Sequence, residues 1–136
     1  MEQPTIVTRD IVLGLPADEA WELIGDADGW TEWMVDGADV TVAPGAEGTV
    51  REDEGERQVH VREVIEGERV CFEWWPTGRE DGASVVELAV IPTPVGAGLR
   101  IIETFPTPRQ LAATALIAWE VRATCAWARC HTFAAA

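Results

Sequence analysis

The stretch VCFEWWP, residues 70–76, sets two tryptophans side by side in a run that alternates like a β-strand. Neighbouring side chains on a strand point to opposite faces, so Trp74 and Trp75 cannot enter the same core. Val70, Phe72 and Trp74 make one consistently apolar face, while Cys71, Glu73 and Trp75 make a mixed one. The strand therefore belongs to a sheet with one buried face. Trp74 is expected inside it and Trp75 outside, covering a loop or meeting another subunit.

Working outward, the same two-residue period recurs on both sides. TIVTRDIVLGL sets Val7 and Arg9 against Ile6 and Thr8 and continues into Ile11 and Leu13. Val40 and Val42, then Val50, flank a Pro-Gly turn, and Val59 and Val61 alternate with His60 and Arg62 after a turn at Glu54 and Gly55. A further turn at Glu66 and Gly67 leads into the tryptophan strand, and SVVELAVIP with GLRIIETFP form a last hairpin. Between the first strand and the rest, PADEAWELIGD and DADGWTEWM carry apolar residues at helical spacing, with acids near the start of the first. Trp21 reads there as core packing, and Trp30 or Trp33 as a residue facing a pocket entrance. From Arg109 to Phe133 neither glycine nor proline interrupts an alanine-rich run, which predicts one long helix. Strand, two short helices, antiparallel strands, long helix: this order predicts a single α+β domain over residues 1–136, its curved sheet covered by the terminal helix. A helix laid across a curved sheet encloses space, and such space is a default ligand site.

Charge narrows the partners. The net charge is −14, and residues 1–68 hold 18 of the 24 acids but four of the ten basic residues, all arginine. Such a chain repels phosphate backbones and anionic lipid, so neither nucleic acid nor membrane is an expected partner. The start MEQPTIVTRD has no signal-peptide character and the longer apolar stretches are broken by charge, which predicts a cytoplasmic protein. Cys71, Cys125 and Cys130 show no metal-ligand spacing, and Glu52, Asp53, Glu54 and Glu56 read as a solvated hairpin tip rather than a calcium loop. No metal and no cofactor are expected. His60 faces outward with Arg62, and no Ser-His-Asp, Cys-His or phosphate-loop pattern is present, so no catalytic group is assigned.

Taken together, PADEAWELIGDADGWTEWM, PGAEGTV, VREVIEGERVCFEWWP, VVELAVIPTPVGAGLRIIETF and the alanine-rich end resemble the SRPBCC, or START-like, superfamily. Within it they are similar to the bacterial branch related to the activator of heat-shock-protein ATPase. The resemblance implies the helix-grip fold: a curved antiparallel seven-stranded sheet wrapped around a long C-terminal helix, two short helices after the first strand, and a hydrophobic cavity between sheet and helix. It implies no single chemistry, because this fold hosts carriers, receptors, cyclases and co-chaperone domains.

Residue facing then picks the cavity walls. Leu99, Ile101, Glu103 and Phe105 share the more apolar face of their strand, so Glu103 is expected to point inward. On the terminal helix, Ala115 and Arg122 fall on the face opposite Glu120 and Thr124, with Trp119 beside them. An inward arginine needs a partner, which makes Arg122 with Glu103 a candidate internal ion pair: either a clamp of helix on sheet, or an anchor for a carboxylate or carbonyl. The expected ligand-binding set is Trp33, Phe72, Trp74, Leu88, Ile101, Glu103, Phe105, Ala115, Trp119 and Arg122. The leading expectation is binding of a small hydrophobic ligand, with aromatic compounds among the candidates. A polyketide cyclase- or aromatase-like enzyme and a co-chaperone-like interaction module stay open beside it, as does a homodimer through the apolar flanks of the terminal helix.

Overall fold

The computed structural model describes residues 4–106. Strand β1 (Thr5–Leu15) is followed by helices α1 (Ala17–Glu22) and α2 (Ala27–Trp33). Six strands come next: β2 (Gly37–Asp39), β3 (Glu47–Glu52), β4 (Gly55–Ile65), β5 (Arg69–Pro76), β6 (Ser84–Thr93) and β7 (Gly96–Phe105). They form one antiparallel seven-stranded sheet in the order β1-β7-β6-β5-β4-β3-β2. The strands expected from the alternation and the two short helices expected from helical spacing are present. The expected terminal helix, with Ala115, Trp119 and Arg122, lies outside the described residues.

Hairpin connections account for the order from β2 to β7, and the remaining strand, β1, closes on β7 at the far edge. Glycines with positive φ stand where the hairpins turn, as at Gly55 and Gly67, a backbone region that other residues enter only at a cost. In β1 the pairing with β7 shifts between Val12 and Leu15, and Gly14 at φ 69° absorbs the extra residue as a bulge. One strand is shorter than its sequence suggested. Val40 and Val42 lie beyond β2 and pack partly against the core without joining the ladder.

The alternation sorts the residues by face. Ile11, Leu13, Val50, Val59, Val61, Val70, Phe72, Trp74, Val86, Leu88, Leu99 and Ile101 are all buried, whereas Ile6 and Val12 on the other face of β1 are exposed. Full burial of a side chain of this size contributes about 1.5–3 kcal/mol, so this face is the main source of stability. The helical pair docks on it through Ala20, Ile24, Trp30, Trp33 and Met34. Asp26 caps α2 by accepting from the Gly29 amide at 2.7 Å. Gly29 cannot be larger, because a Cβ there would meet the Glu22 carbonyl at the end of α1.

Candidate functional site

Three strands bring the centre of the site together. In β5 and β6, Trp74 stands opposite Ser84; Val86 stands opposite Glu103 across β6 and β7. All of them point to the buried face, as their parity with Phe72, Leu88 and Ile101 requires. Glu103 is only 2% exposed. Its Oε2 accepts from the Ser84 hydroxyl at 2.7 Å and from the Trp74 indole N–H at 3.1 Å, and that N–H also lies 3.1 Å from Ser84 Oγ. A carboxylate taken from water into an apolar face is costly unless donors replace its hydration, and these two neutral groups supply part of that replacement.

Aromatic rings surround this group. Phe72 meets Trp74 edge-on with centroids 5.2 Å apart, and Trp30 tilts over Phe72 at 4.8 Å. On the other side of Trp74, the Arg57 guanidinium lies over the ring, its Cζ 4.5 Å from the centroid, and Glu52 Oε2 sits 3.1 Å from Arg57 Nε. Both side chains are mostly covered, at 21% and 15% exposure. Burial pushes the Glu52 carboxyl above its usual range; Arg57 pulls it back, and the charges of Glu54 and Glu103 add to the rise. Glu52 and Arg57 close the β3–β4 hairpin on the same face as Val50 and Val59. The expectation that the acidic run is wholly solvated is therefore corrected: Glu52 turns inward, and Asp53, Glu54 and Glu56 are exposed.

Of the expected wall residues, Phe72, Trp74, Leu88, Ile101, Glu103 and Phe105 all lie on the buried face. Trp33 and Trp30 are fully buried, and each commits its indole N–H to the segment just after α1, at 2.8 Å to the Leu23 and Ile24 carbonyls. These bonds tie the two helices together, and neither ring is exposed at an entrance. Ala115, Trp119 and Arg122 fall outside the described residues, and with them the expected Arg122–Glu103 pair. Sequence reasoning missed Ser84, Glu52 and Arg57.

The other chemical candidates lead away from catalysis. Cys71 is half-buried on the opposite face, where burial raises its thiol and leaves it a poor nucleophile. Among the described residues no three His, Cys, Asp or Glu side chains gather into a metal-ligating group. No helix there is long and apolar enough to cross a membrane. At the far end of the sheet, Leu15, Pro16, Val90, Pro92 and Ala97 line a shallow cleft of about 340 Å³, which has no polar side chain to orient a ligand.

No protein-family model matches the chain, and no curated protein matches it in sequence. Solved structures do. Protein MLL2253 from Mesorhizobium loti superposes with a TM-score of 0.76 at 20% identity, covering 93% of this chain and 98% of that one. DynU16, a protein of the dynemicin biosynthetic locus, gives 0.72 at 17% identity over 92% of this chain, which spans 47% of DynU16. The Aha1 dimer from Colwellia psychrerythraea gives 0.66 at 13% identity, over 87% of this chain and 90% of that one. At these identities the likeness is one of fold alone.

Proposed function

We propose that the protein binds a small hydrophobic ligand, flat enough to lie on aromatic rings, between the concave face of the sheet and its C-terminal segment. The observation that carries this reading is the buried group of Trp74, Ser84 and Glu103. A core that served stability alone would gain by replacing the carboxylate with an apolar side chain, since a buried charge contributes little net stability even when well bonded. A polar point set among Phe72, Trp74, Leu88, Ile101 and Phe105 is what a mostly apolar ligand needs for orientation. Trp33, Ala115, Trp119 and Arg122 would complete the walls.

The fold likeness supports a cavity-forming architecture, and the bacterial branch related to the heat-shock-protein ATPase activator remains our placement for one domain over residues 1–136. The likeness to the Aha1 dimer extends the proposal to a homodimer, the charge pattern to one without nucleic-acid or membrane partners, and the character of the opening residues to a cytoplasmic one. Native mass spectrometry of the purified chain, set against its denatured mass, tests the central claim. A reproducible additional small-molecule mass is expected. A chain that stays unliganded in cell extract, and after incubation with flat apolar compounds, would sink the reading.

A further inference from the structure

We propose that Arg57, laid on the Trp74 ring and flanked by Glu52, takes the carboxylate end of an apolar, aromatic acid bound on the concave face. The inference rests on the pocket reading above and names the ligand class for it. Arg57 differs from the arginines of the outer face. Arg100 spends Nε and Nη2 on Asp10, and Arg69 divides its terminal groups between Glu63 and Glu87. Arg57 meets Glu52 through the inner Nε, and among the described residues its terminal amino groups have no hydrogen-bond acceptor.

A guanidinium offers a planar fork of donors that matches a carboxylate through two parallel bonds. Here the fork lies on an indole whose own N–H is fixed by Ser84 and Glu103, so Arg57 is positioned on a braced platform. The partial burial of the pair strengthens its electrostatics relative to an exposed arginine. The ring row beside it, Trp74, Phe72 and Trp30, is fully buried, so the body of an aromatic acid reaches it only by displacing the side chains that cover it. Glu52 balances Arg57 when the site is empty and competes with an incoming carboxylate. The groups that act on Glu52 are Arg57 from β4, Glu54 from the turn and Glu103 from β7, and three of those four charges are negative when Glu52 is included. Neutralising Glu52 should therefore favour an anionic ligand.

The test is calorimetric titration of the full chain at pH 7 with 2-naphthoate and with the neutral 2-naphthamide, which shares its ring system. Naphthoate is expected to bind about tenfold more tightly, the scale of a charge-assisted bidentate contact. Arg57→Gln should erase that preference while keeping the amide affinity, and Glu52→Gln should tighten naphthoate several-fold without moving the amide. Equal binding of the two probes, or a preference that survives in folded Arg57→Gln protein, overturns the inference and leaves the pocket reading standing. Binding of neither probe overturns the inference, and the pocket reading is then decided by the mass-spectrometric test. If Arg57→Gln fails to fold, Glu52→Gln decides, and unchanged naphthoate affinity there overturns the proposal.

Discussion

Glu103 and Arg100 stand three residues apart on β7, and the odd spacing sends them to opposite faces of one sheet. Arg100 faces out and meets Asp10, directly across on β1, through two bonds of 2.8 and 2.9 Å. Glu103 faces in, opposite Val7 of β1, and takes its described bonds from a hydroxyl and an indole. The outer pair has the smaller consequence, because water and salt screen both of its partners. The inner carboxylate is energetically exposed to every change around it.

The contrast breaks most visibly at Trp74. Trp74→Ala removes a fully buried ring, the platform under Arg57 and one donor to Glu103 together. Large-to-small changes of this kind cost about 3–5 kcal/mol, enough to unfold a marginal domain, and urea denaturation should register the loss as a lower midpoint. A loss below about 1 kcal/mol would mean that the inner face is much less tightly packed than its contrast with the outer face requires.

Ser84→Ala sharpens the comparison, since it deletes one oxygen and little volume. The 2.7 Å bond to a buried carboxylate disappears, and among the described residues the indole N–H keeps only Glu103 as an acceptor. Hydrogen bonds to charged groups contribute about 1.5–3 kcal/mol, so the same denaturation experiment should show a loss in that range. Ser84→Thr, which keeps the hydroxyl, should recover part of it. If Ser84→Ala were neutral, the Glu103 carboxylate would draw its support from elsewhere.

Much of this architecture is legible in the sequence because the sheet has one wet face. Val70, Phe72 and Trp74 declare their side by alternation, and Glu103 follows from Ile101 and Phe105 by the same parity. Ser84 escapes that reading: at a strand start, after Asp81, Gly82 and Ala83, a serine looks like loop chemistry, and its inward place appears only through its pairing with Trp74. Glu52 and Arg57 were hidden by the acidic run around them. Their parity with Val50 and Val59 held the signal, but the summed charge of the run outweighed it. Trp30 and Trp33 show a different limit. Three-residue spacing places two rings on one side of a helix, yet only the position of α1 reveals that both indoles bond to the carbonyls of the two residues that follow it.

The smallest effect belongs to the outer pair, and its sign is the sharpest check on the contrast. The hydrogen bond from Arg100 holds the Asp10 carboxyl below its usual range, against a weaker opposing pull from burial. A lowered folded value means that the unfolded chain binds the proton more readily. The pair's contribution is therefore present above the unfolded aspartate value, near pH 4, and is lost as pH falls through the lower folded value. Asp10→Asn should remove that acid-side slope and little else, with a change at pH 7 clearly smaller than that of Ser84→Ala. In about 1 M salt, where the screening length is only about 3 Å, the difference between the unsubstituted chain and Asp10→Asn should shrink further, whereas the Ser84→Ala loss should persist. A salt-insensitive cost at Asp10 comparable to that at Ser84 would place the two faces on the same energetic footing and remove the argument that the inner carboxylate is kept for a ligand.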